Sequence, residues 1–113
     1  MNDTLVFKAL ADPVRRMILD ALFERDGRSL SELEEVVTER VEMTRFGVAK
    51  HVRLLEQATL VTSVKKGREK LHYLNPVPIQ QIHDRWIGKF TGRARIAGGL
   101  ITLKHELESK EKP

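Results

Sequence analysis

The 113-residue chain contains no cysteine, which removes disulfides, thiolate metal sites and cysteine nucleophiles together. It also has no apolar run near the roughly 20 residues that a bilayer requires, so no membrane partner is expected. The opening residues Met1-Asn2-Asp3-Thr4 lack the basic-then-apolar pattern of a secretory signal, and the expected compartment is the cytoplasm, with the nucleoid. No glycine-rich phosphate loop follows a strand pattern, and Ser29, Ser31, Ser63 and Ser109 stand in no nucleophile context. His83 and Asp84 are neighbours, but on a helix they point about 100° apart, as surface residues do. No enzyme is expected. The length suits one domain, residues 1–113.

What the chain does have is a local excess of positive charge. Between Thr44 and His72 stand seven Lys and Arg against two Glu, a net +5, while the formal charge of the whole chain is +4. The flanks are therefore close to neutral. A basic centre between neutral flanks suits either a polyanion-binding surface or a solvated lysine-rich face.

Hydrophobic spacing divides the chain into elements. Leu5, Val6, Ala9 and Leu10 mark a short first helix, ended by Asp12-Pro13. Asp12 suits the N-cap of a second helix and Pro13 its first turn. Val14, Met17, Ile18, Ala21 and Leu22 then recur at one-face helical spacing, ending near Asp26-Gly27. Ser31-Glu32-Leu33-Glu34 suggests a capping box that opens a third helix. Thr38 to Met43 has the look of a turn. Thr44 can cap a fourth helix, with Val48, Val52 and Leu55 inward and Phe46, Lys50, Arg53 and Gln57 opposite. The period then changes to two. Leu60, Thr62 and Val64 alternate with Val61, Ser63 and Lys65, and a second alternating run covers Glu69 to Leu74, with Leu71 and Tyr73 on one side. Lys66-Gly67-Arg68 joins the two as a basic turn. Beyond Asn75-Pro76-Val77-Pro78 a last helix carries Ile79, Ile82, Trp86 and Phe90, then Ile96, Leu100, Leu103 and Leu107. Gly92, Gly98 and Gly99 weaken its middle, which leaves open whether it is continuous, kinked or split into two helices.

The expected fold is mainly α with a two-stranded β-wing, in the order α-α-α-α-β-β-α. The third and fourth helices make a helix-turn-helix pair, whose second member fits a DNA major groove, and the hairpin tip reaches adjacent phosphates. Double-stranded DNA is the expected partner. Thr44, Arg45, Gly47, Ala49, Lys50, His51 and Arg53 on the fourth helix, with Lys65, Lys66 and Arg68 on the hairpin, are the expected contacts. Arg45 suits a bidentate bond to guanine or a phosphate contact. Gly47 and Ala49 permit close backbone approach. Phe46 is out of place on a polar face; packing against the turn is the preferred reading and a thymine methyl the other. The rival to DNA binding is a winged-helix module that binds protein.

Three segments in this order resemble the ArsR-like family of bacterial winged-helix repressors: Ala9-Leu10-Ala11-Asp12-Pro13-Val14-Arg15-Arg16-Met17-Ile18-Leu19, then Val48 to Val61 with Lys50-His51-Val52 at its heart, then Gly67-Arg68 and the run after it. The resemblance spans about Leu5 to Phe90. Departures are a longer turn at Thr38 to Met43, Ala49 where the family has serine, and Thr59 where it has glycine. The resemblance implies repression by operator binding, a DNA or packing role for His51, and a structural role for Arg15 and Arg16. It also implies a homodimer built from the first and last helices, through Leu5, Ile79, Ile82, Trp86, Phe90, Leu100, Leu103 and Leu107. Family members often sense metals. Here the cysteine site has no cysteine, and the last-helix site keeps His83 but has Gln81, Ala94 and Ala97 in the other three places. Zinc needs three or four protein ligands, so neither metal nor cofactor is expected. The effector stays unknown.

Overall fold

The computed structural model describes the chain from Asp3 to Glu111; of residues 95, 100–104, 106 and 108–111 only the helical backbone is described. Two compact units result, one ending at Ile79 and one beginning at Gln80.

In the first unit, α1 (Asp3–Leu10) and α2 (Pro13–Glu24) meet at a turn with local causes. Asp12 caps α2, its carboxylate accepting from the N–H groups of Val14 at 2.8 Å and Arg15 at 3.2 Å. Burial pushes the Asp12 pKa up, but those two backbone bonds and nearby positive charge outweigh it and hold the carboxyl below its ordinary value. Arg15 donates to the carbonyls of Ala9 and Lys8, and Arg16 to that of Leu10. The arginine pair thus satisfies the open carbonyl end of α1, the structural role that the resemblance implies.

Strand β1 (Arg28–Ser29) precedes α3 (Leu30–Thr38), and α4 (Arg45–Gln57) follows after a turn. The cap of α3 differs from the sequence expectation. Ser29, not Ser31, accepts from the Glu32 N–H, while the Glu32 carboxylate accepts from the Ser29 N–H. The reason is β1: pairing with another strand holds Ser29 extended (φ −75°, ψ 166°), the backbone state an N-cap requires. Thr44 caps α4 as expected, accepting from Gly47 N–H at 3.1 Å.

Strands β2 (Val61–Lys66) and β3 (Glu69–Leu74) pair antiparallel from Val61 with Leu74 to Lys66 with Glu69. Gly67, at φ +64°, takes the first central position of the two-residue turn, the hairpin geometry that suits strand twist. The wing is three-stranded, in the order β1-β3-β2. A two-residue strand carries too little alternation to be read from sequence. The core comprises Val6 from α1, Ile18 and Leu22 from α2, Leu33 and Val37 from α3, and Val48, Val52 and Leu55 from α4, all 3% exposed or less. Each such side chain contributes about 1.5–3 kcal/mol of burial.

Thr59 sits at φ +59°, the one positive φ outside glycine among the described residues. This is where the resembling family has glycine. A β-branched residue is strained there, and Thr59→Gly should stabilise the protein by roughly 0.5–1 kcal/mol after the extra entropy of glycine is subtracted. Urea unfolding is the check; a lower midpoint for Thr59→Gly would mean that the Thr59 hydroxyl bond to the Ala58 carbonyl, 2.6 Å, outweighs the strain.

Helix α5 (Val77–Ile82) leads into a π-helical stretch, His83–Ile87, and then into α6 (Gly88–Glu111). The Gly88 N–H closes the wide turn on the His83 carbonyl. A Cβ at Gly88 would lie 2.8 Å from that oxygen, so glycine permits the turn. The irregularity falls here, and α6 runs unbroken through Gly92, Gly98 and Gly99, the continuous form of the arrangements that the sequence left open. No described helix is long and apolar enough to cross a membrane.

Candidate nucleic-acid interface

The inward row of α4, Val48, Val52 and Leu55, anchors the helix against the first unit. Helical geometry then turns Arg45, Phe46, Lys50, Arg53 and Gln57 outward, and all five are exposed. Beside them the hairpin carries Lys65, Lys66 and Arg68, also exposed. The expected contact residues therefore fall on two neighbouring elements of one unit.

Their surroundings differ in detail. Arg45 donates to the Ser31 hydroxyl at 2.8 Å and lies 3.5 Å from the Glu34 carboxylate. The start of α3 thus holds the Arg45 guanidinium beside the start of α4. Phe46 does not pack against the preceding turn: 73% of it is exposed, and the Arg53 guanidinium stands 5.9 Å from its ring centre. The space beside Gly47 is taken by Met43, whose Cγ would be 2.9 Å from an added Cβ, so the small residue serves the turn. Ala49 is half-buried and lines a cleft towards the hairpin. Thr44 is spent on its cap.

His51 turns towards the α1–α2 corner. Its Nδ1 lies 3.1 Å from Arg15 Nη1. A guanidinium only donates, so Nδ1 accepts and the proton resides on Nε2. The ring couples α4 to the cap of α2 and keeps one N–H to offer elsewhere. His72 was not singled out by the sequence, which shows only an alternating run. It is 3% exposed, and its Nδ1 lies 2.9 Å from the Arg28 carbonyl oxygen. Alternation around His72 was the available signal, but its burial depends on β1.

The residues expected to pair two copies are divided. Leu5, Trp86, Phe90 and Leu107 are exposed by 41%, 50%, 52% and 52%, and Ile79 is half-buried. Ile82 differs from them: it is 1% exposed within the single chain. The side chains of Leu100 and Leu103 lie outside the described residues. Trp86 and Phe90 meet edge to face at 4.9 Å, and Lys89 Nζ stands 5.9 Å and 5.2 Å from the two ring centres. His83 and Asp84 form an exposed surface pair. Among the described residues no three His, Asp or Glu side chains gather as a metal site would require.

Known proteins resemble the chain in the same region. Residues 10–64 match the family description "helix-turn-helix domain". The chain is 41% identical over 88 residues to YuzN, an uncharacterized HTH-type transcriptional regulator of Bacillus subtilis (strain 168), covering 76% of this chain and 96% of that protein. It is 31% identical over 75 residues to the transcriptional repressor SdpR of the same bacterium, covering 66% and 78%. An ArsR-like transcriptional regulator from Rhodococcus sp. RHA1 has a solved structure that superposes with a TM-score of 0.64 at 30% identity, over 94% of this chain and 90% of that one.

Proposed function

The chain belongs to the ArsR-like family of helix-turn-helix transcriptional regulators, and from that premise we propose that it represses transcription by occupying a palindromic operator as a homodimer. The observation that carries the reading is the exposed row Arg45, Phe46, Lys50 and Arg53 on α4, flanked within one unit by Lys65, Lys66 and Arg68. An α-helix fills a major groove, and a neighbouring hairpin then lies against the phosphate backbone. The first half of α4 meets base edges, while the wing supplies charge without sequence information. His51, oriented by Arg15, offers Nε2–H to a phosphate. As a binder of chromosomal DNA the protein works in the cytoplasm.

Arg45 has to exchange Ser31 and Glu34 for DNA. Both partners are at the surface, where such pairs contribute little, about 0–1 kcal/mol, so the exchange is cheap. With the operator obtained by selection from random duplexes, Arg45→Ala should cost roughly 1–3 kcal/mol on the selected site and much less on random DNA. Lys66→Ala should weaken both equally. Gel shifts on the two duplexes decide: equal losses for Arg45→Ala would make it a phosphate contact, and no shift on any duplex would overturn DNA binding.

A further inference from the structure

A cleft of about 410 Å³ opens between the start of α3, the side of α4 and the wing, along β3 from His72 up to Arg68 in its turn. Four cations line it: Arg45, Arg53, Arg68 and Lys70. Two of them are committed. Lys70 pairs with Glu56 at 3.6 Å, and Arg45 is held by Ser31 and Glu34. Arg53 and Arg68 are left to supply charge, against Glu69 on the same wall. Ser29 and Ser31 also line it, at the positive end of the nine-residue helix α3, with their hydroxyls accepting from the Glu32 N–H and from Arg45.

His72 gives the cleft its chemistry. A carbonyl oxygen only accepts, so the Nδ1 that meets Arg28 carries a proton, and the neutral ring presents a lone pair at Nε2. No protein group among the described residues bonds Nε2. Yet no fully buried side-chain nitrogen there lacks a partner. Nε2 is therefore open, on a residue that is 3% exposed and lines this cleft. A buried ring held by a strand carbonyl, with an unbonded and still accessible nitrogen on a residue that lines a basic cavity, is a built acceptor.

We propose that the cleft binds a small phosphomonoester, its phosphoryl oxygens on Arg53 and Arg68 and its P–OH donating to His72 Nε2. Cavities of 300 Å³ and above hold small molecules, so there is room for a sugar-sized body beside the phosphoryl group. The acceptor at Nε2 distinguishes a monoester, which carries a P–OH for part of the time near neutral pH, from a backbone phosphodiester, which has none. Because Arg53 and Arg68 also face DNA, occupancy releases the operator; that consequence rests on the proposed function, whereas the binding does not.

The test follows the His72 ring by nitrogen NMR in the DNA-free protein. Glucose 6-phosphate serves as monoester, dimethyl phosphate as diester, and sodium chloride matches ionic strength. A saturable shift at Nε2 is expected with the monoester and with neither of the others. Arg53→Gln should weaken it at least tenfold, with the Nδ1–H signal to Arg28 reporting an intact fold. Arg40→Gln, which removes the same charge outside the cleft, should leave it unchanged. Equal shifts with dimethyl phosphate would make the cleft a seat for the DNA backbone, and a non-saturating shift shared with chloride would show screening only. Either overturns the proposal, as would equal losses for the two variants. A protein that binds glucose 6-phosphate but no duplex keeps this site and loses the proposed function.

Discussion

Raising monovalent salt from about 50 to 200 mM should weaken binding of the selected operator by about 10³–10⁵. The expectation comes from counting cations that have no better occupation. Lys50, Arg53, Lys65, Lys66 and Arg68 are exposed on the α4–wing face, whereas Lys70 is drawn to Glu56. Two copies present about ten such charges, the upper end of the roughly 6–10 phosphates at which losses of this size arise. Each neutralised phosphate releases condensed counterions, and added salt opposes that release. Fluorescence anisotropy over a salt series gives the slope, and a nearly flat series would rule out the basic face as the seat of affinity.

The other large effect concerns pairing. In the single chain Trp86, Phe90, Ile96 and Leu107 expose between 50% and 67% of their surface, along one irregular helical run. Folded proteins seldom leave so many large apolar side chains open to water on one element. A second copy would cover part of them and set two copies of α4 about 34 Å apart, one turn of the duplex. Ending the chain before Arg93, or combining Leu100→Asp with Leu103→Asp, should give monomers. Operator affinity should then fall towards the non-specific level, a loss on the order of 10³ or more. Residues up to Ile79 form a compact unit by themselves, so circular dichroism should show their helices retained. Sedimentation reports the assembly directly: an intact chain that is monomeric at micromolar concentration with full operator affinity would sink the dimer.

Much of this architecture was legible because its causes are local. Asp12-Pro13 starts α2 and Thr44 starts α4 through bonds to residues two or three positions away. The period-two runs on either side of Gly67 announce the wing, and the basic residues at its tip are where the hairpin register places them. Spacing alone turned Val48, Val52 and Leu55 inward and Lys50 and Arg53 outward.

The remainder depended on partners far along the chain. Ser29 displaced Ser31 as the cap because β1 pairs with β3, opposite Leu71. The same pairing buries His72 against Arg28, a bond between residues 44 positions apart. Arg45 finds Ser31 and Glu34, and His51 finds Arg15 across 36 residues. Ile82, on an apolar stripe, was indistinguishable by spacing from Trp86, yet one is buried and the other half exposed. The amino-acid sequence by itself determined which segments are helix or hairpin and where the positive charge lies, since propensity, capping and periodicity act over a few residues. Only the tertiary structure decided which serine caps α3, which histidine lines a cleft and which arginine is held by α3, because those outcomes are set by hydrogen bonds and burial between segments that local pattern does not connect.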